Sequence, residues 1–205
     1  MRFTFAVLSL SLSSAMAGAQ APTPQAAVVP AALPSAEEQI TQAVLPLPND
    51  LRASATVLGY TAADGALKPL RDGNGGMICL ANNPKQPRWH VACYHKSLEP
   101  FMARGRELRA SGVTGEQVDS VRFREAKEGK LKLPTEPALL YSLTGDRDAY
   151  DVATKSAPKA RPLFVVYMPN ATSQSTGLSA IPAQGTPWIM FPGTPKAHIM
   201  FVPRM

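Results

Sequence analysis

The spacing of hydrophobic positions divides the chain into stretches of different period. In "SAEEQITQAVL", Ile40, Ala43 and Val44 recur at helical spacing behind Ser35 and Glu38, which form a capping-box pair. "LPLPND" ends that helix, because Pro46 and Pro48 lack backbone donors. The pattern then becomes strand-like. "ASATVLGY" and "ALKPLR" read as strands about an "AADG" turn, with Pro69 marking the second as an edge. "RDGNGG" reads as a tight turn in which one or more glycines take positive φ. "MICLA" and "RWHVACYH" follow as two strands joined by "NNPKQP".

From Ser97 the helical period returns. Leu98, Phe101, Met102 and Leu108 share a face, with Ser97 as cap and Gly112 as stop. A second helix is expected behind a Thr114/Gln117 capping box, with Val118 and Val121 inward and Gly129 as its end. "EPALLYSLTG" reads as a third, short helix, and "DRDAYDVATKSAPKARP" as a polar loop. "PLFVVYMP" is a nearly continuous apolar strand. "PWIMF" and "AHIMFVP" close the chain as a hairpin about "PGTPK". Strands, then helices, then strands predict an α+β domain: an antiparallel sheet from N- and C-terminal strands with a central helical pair.

The N-terminus changes the picture of where this domain works. Arg2, the apolar run Phe3 to Leu12 and the small-residue site Ala17-Gly18-Ala19 have the order of a signal peptide, residues 1–19. Residues 20–34, rich in Pro and Ala, read as a linker, and 35–205 as a single domain. No later apolar run reaches the ~20 residues of a transmembrane helix. The expectation is an exported protein, periplasmic or secreted. Cleavage leaves 205 − 19 = 186 residues and lowers the formal charge from +6 to +5. The basic residues are scattered, so nucleic acid is not an expected partner. An anionic envelope component is a better match to such a charge outside the cytoplasm.

Export bears directly on Cys79 and Cys93. A hairpin centred near Gln86 sets them opposite each other, where neighbouring Cα atoms are ~4.5–5.5 Å apart. An oxidising compartment then favours a disulfide. The competing reading uses the same face, with Cys79, Cys93, His95 and Met77 as soft-metal ligands, but the zinc-type Cys spacing is absent.

Two further sets of residues bear on function. A C-terminal turn centred on Thr194 places Met190 opposite His198 and Trp188 opposite Met200, all on one face. Thioethers and an imidazole with an indole lid suit copper as Cu(I), and the residue types resemble those of small periplasmic copper-binding barrels. Ordinary core packing accounts for the same residues. The Ser/Thr-rich loop, with Thr172, Ser173, Ser175 and Thr176, is a candidate binding loop or, with His95 or His198, a candidate enzyme site. G-x-S-x-G, H-E-x-x-H and phosphate-loop signatures are missing. The preferred expectation is therefore a non-enzymatic binding or structural module, with the metal protein and the enzyme as alternatives.

"PLRDGNGGMICLANNP", running on into "VACYHKSLEPFMARGREL", together with "PWIMFPGTPKAHIMF", resembles exported bacterial proteins of a family without assigned function. The resemblance implies one exported domain and no catalytic residues.

Overall fold

The computed structural model describes residues 33–62 and 65–203. The expected signal peptide and all but the last two residues of the expected linker lie outside them. The described residues belong to one compact unit, Ala31–Met205.

A single eight-stranded sheet organises this unit. In chain order its strands are β1 (Thr56–Gly59), β2 (Lys68–Arg71), β3 (Met77–Leu80), β4 (Trp89–His95), β5 (Ala138–Gly145), β6 (Arg161–Tyr167), β7 (Trp188–Met190) and β8 (His198–Phe201). Their order across the sheet is β2-β1-β3-β4-β5-β6-β8-β7. All neighbours are antiparallel except β1 and β3, which run parallel. The helices are α1 (Ala36–Ala43), α2 (Asn49–Arg52), α3 (Glu99–Ala110), α4 (Glu116–Lys127) and α5 (Ser173–Thr176). The domain is mixed α and β but mostly sheet. The two longest helices, α3 and α4, lie between β4 and β5 in the chain.

Alternation along the strands sorts the core into two sides. Val57, Cys79, Cys93, Tyr141, Phe164 and Phe201 are register partners in one transverse row across six strands. Ala43, Val44 and Leu47, in and just after α1, pack over the Val57, Cys79 and Cys93 end of this row. At the other end the Tyr141, Phe164 and Phe201 rings follow one another at 5.7 and 6.4 Å. On the opposite face, Tyr94, Val165 and Tyr167 pack with Leu98 and Met102.

Both N-terminal hairpin expectations agree with the structure. Cys79 pairs with Cys93 and Met77 with His95. The sulfurs are bonded at 2.05 Å, with Cα atoms 4.0 Å apart. Sulfurs joined to each other are not thiolate ligands, so the cysteine metal reading is set aside. Ser35 caps α1 by accepting the Glu38 N–H.

Four local expectations are corrected. "EPALLYSLTG" is not a helix but β5, hydrogen-bonded to β4 on one side and β6 on the other. Its Leu and Ala favour helix, and two flanking strands override that preference. The α4 cap is Gly115 at φ 58°, not Thr114, and no side chain bonds there. Ser97 does not cap α3. It sits within the 3-10 turn Lys96–Leu98, and the His95 ring accepts its N–H. In "RDGNGG", Gly73, Gly75 and Gly76 have no positive φ. What Gly73 needs is room: a Cβ there would sit 2.3 Å from the Ser54 carbonyl oxygen and 2.4 Å from the Ala55 carbonyl carbon.

Candidate functional site on the C-terminal hairpin

β7 and β8 pair as Trp188↔Met200, Ile189↔Ile199 and Met190↔His198. Trp188, Met190, His198 and Met200 therefore share a face, as the Thr194-centred turn predicts. β8 also pairs with β6, which sets Tyr167 beside His198 and Val165 beside Met200. The site is thus built by a local turn on one side and a long-range strand pairing on the other.

His198 is 6% exposed. Its ring centroid is 5.0 Å from that of Tyr167 and 5.7 Å from that of Phe191. Its Nδ1 is 2.7 Å from the Lys196 carbonyl oxygen. A carbonyl only accepts, so Nδ1 carries the proton, and in the neutral ring the lone pair is on Nε2. Burial holds the imidazole below its usual range. The Lys196 cation adds to this, while the bond to the Lys196 carbonyl opposes it. The ring is accordingly neutral near pH 7, the form that ligates metals.

Phe191 carries no signal of its role in the hydrophobic pattern. It holds φ 51° and is 40% exposed, an uncommon backbone state for a bulky residue. Its ring faces His198 on one side, and Lys196 Nζ lies 4.3 Å from its centroid. Lys196 is tied in turn to Asp119 of α4 at 2.8 Å, and Asp119 also pairs with Arg122. The Arg122 guanidinium stacks 3.9 Å over Phe101 and donates to the Phe101 carbonyl. A chain of contacts thus runs from the α3–α4 pair to the residue that covers the imidazole. Trp188, expected as the lid, is 7% exposed, and its indole N–H is buried without a partner among the described residues.

The other candidate residues have local work. In the Ser/Thr loop, Thr172 Oγ1 accepts the Ser175 N–H and Ser175 Oγ accepts the Thr172 N–H. Thr176 Oγ1 donates to the Thr172 carbonyl. These hydroxyls build the α5 turn, and Ser173 is its first residue. A cavity of about 420 Å³ near the loop is lined by Phe123, Asn170 and Thr194, with no histidine among the described residues. His95 Nδ1 is 2.9 Å from Ser97 Oγ, part of the turn into α3.

Fold and site together define an α+β protein with a buried imidazole on the same hairpin face as two methionines. Comparisons with protein-family models, with curated proteins and with solved structures gave no match. Among the described residues no helix is long and apolar enough to cross a membrane.

Proposed function

We propose that this protein is an exported, non-catalytic binding module whose C-terminal hairpin takes Cu(I) on His198 Nε2, with the thioethers of Met190 and Met200. Export is supported by the N-terminal residue pattern and agrees with the Cys79–Cys93 bridge. The observation that carries the metal reading is the hydrogen bond from His198 Nδ1 to the Lys196 carbonyl. Ligating histidines commonly donate their second nitrogen in this way, which fixes the tautomer and the ring plane. Thioether and imidazole donors, shielded by Phe191 and Tyr167, match the softness of Cu(I) better than that of a hard cation.

Core packing explains Met200, which packs with Leu98 and Val165, and Trp188. The metal reading adds to that packing a role for the buried imidazole, with its proton held on Nδ1, and for the phenylalanine at positive φ beside it. The test is anaerobic Cu(I) titration of the mature chain against a chromophoric chelator. Wild type is expected to bind one ion. His198→Ala and Met190→Leu are expected to weaken binding by at least about tenfold, or 1.4 kcal/mol, with circular dichroism reporting that each variant is folded. Equal affinity in wild type and a folded His198→Ala variant ends the reading.

A further inference from the structure

A second cavity, of about 250 Å³, opens elsewhere on the molecule. It is somewhat smaller than typical small-molecule sites, which span ~300–1,000 Å³. Leu80 of β3 and Ala92 of β4, register partners, contribute apolar lining. Tyr60, Asn82, Asn83, His90 and Arg106 contribute polar groups.

The hydrogen bonds of these groups decide what they still offer. Asn82 Oδ1 accepts the His90 N–H at 2.9 Å, and Asn83 Oδ1 accepts the Lys85 N–H at 2.9 Å. Both carboxamides have thus committed their acceptor ends to backbone, and their NH₂ ends remain as donors. Arg106 is ion-paired with Glu99 at 2.6 Å and bonded to Tyr94 Oη at 2.8 Å, so what it still offers is further N–H donors on a pinned, already paired guanidinium. Tyr60 Oη adds a phenol that has no hydrogen-bond partner among the described residues. No carboxylate lines the cavity among the described residues. A small apolar space with a donor-rich rim and one fixed guanidinium complements a compact ligand whose apolar body ends in an acceptor-rich anion.

We infer that this cavity binds a small monocarboxylate with an apolar body, its carboxylate toward Arg106 and the two asparagine amides, and its body against Leu80 and Ala92. The inference is independent of the hairpin reading. β4 and β8 are three places apart in the sheet, and the site requires no metal.

The test titrates benzoate, and separately benzamide, into the mature metal-free chain and follows backbone amide resonances. Benzoate is expected to shift signals from residues 80–92 and Arg106 saturably, and benzamide to bind at least about fivefold more weakly. Arg106→Gln is expected to reduce benzoate affinity by at least about tenfold. Ala92→Leu, which fills the apolar wall and keeps every charge, tests the site where the Arg106 variant fails to fold. It too is expected to reduce binding by at least about tenfold. Shifts spread over the basic surface, equal affinity for benzamide, or unchanged benzoate binding in a folded Ala92→Leu variant overturns the inference, whatever copper does at the hairpin.

Discussion

The Trp89 indole N–H donates to the Gln42 side-chain oxygen across 2.9 Å, joining β4 to α1 inside the core. Gln42 is 7% exposed and Trp89 4%. One turn earlier on α1, Gln39 repeats the device. It accepts the Tyr60 N–H and donates to the Tyr60 carbonyl, both at 2.9 Å, and so pairs with the residue just after β1 as another strand would. A buried amide costs free energy unless its groups are bonded, so these two glutamines fix α1 in one position on an otherwise apolar face. Gln42→Leu strands the indole N–H and is expected to lower stability by about 1–3 kcal/mol in urea unfolding. Adding Trp89→Phe removes the stranded donor, so the double variant should lose less than the two single losses combined. Additive losses would mean the bond contributes nothing beyond packing.

The Cys79–Cys93 bridge closes a loop of sequence separation 14. A loop of this size restricts the unfolded chain enough to stabilise the fold by about 3 kcal/mol in the chain-entropy model. Replacing both cysteines by alanine should lower the urea midpoint accordingly, because two small apolar side chains remain in a fully buried position. Reduction of the wild type should give a similar decrease. An unchanged midpoint after complete reduction, checked by mass, would show that the crosslink does not constrain the unfolded state.

These two cases mark what the residue pattern made legible. The cysteine register was readable because a short connection between two alternating strands fixes which residues oppose each other. Met190 opposite His198 follows for the same reason. β5 was not readable. Its Leu-Leu-Tyr-Ser-Leu run carries no strict alternation, and its partners lie far away in the chain on both sides. The parallel pairing of β1 with β3 is also non-local, since β2 intervenes in sequence but lies on the outer side of β1. Gln39 and Gln42 had a visible signal: they stand next to Ile40 and Ala43 on the helix, within the stripe destined for burial. Phe191 had none, because its part in the site comes from a backbone angle and from rings supplied by β6 and β8.

Gly73 gives a direct test of the corrected turn. Its φ is ordinary, so an alanine would meet no backbone penalty there. The added Cβ would instead collide with backbone of Ser54 and Ala55, which does not rotate away as a side chain does. Gly73→Ala is expected to destabilise by about 1–3 kcal/mol through overpacking. Gly129→Ala, at φ 71° with nothing within 4 Å, should lose stability for the opposite reason: the backbone angle disfavours a side chain although the space is open. If Gly73→Ala were neutral by thermal unfolding, the close approach between the turn and the chain before β1 would be wrong.

Asp119 sets the acid response of the contacts behind the hairpin. Burial alone would raise its pKa. Its hydrogen bonds to Lys196 and Arg122 outweigh that and hold the carboxyl below the usual range. The folded pKa is therefore lower than the unfolded one, ~3.9. Above about pH 4 the carboxylate is charged in both states, and its pairing contributes in full. As pH falls below about 4, the unfolded chain takes up the proton first, and that contribution is lost by the time pH passes the folded pKa. Asp119→Asn should thus be less stable than wild type at pH 7, and the difference should shrink as pH falls below about 4, followed by urea unfolding. Because Lys196 also covers Phe191, the variant should shift the His198 ring resonances near neutral pH, even where the global stability change is small. A difference from wild type that persists undiminished to the lowest pH would mean that Asp119 acts through packing rather than charge.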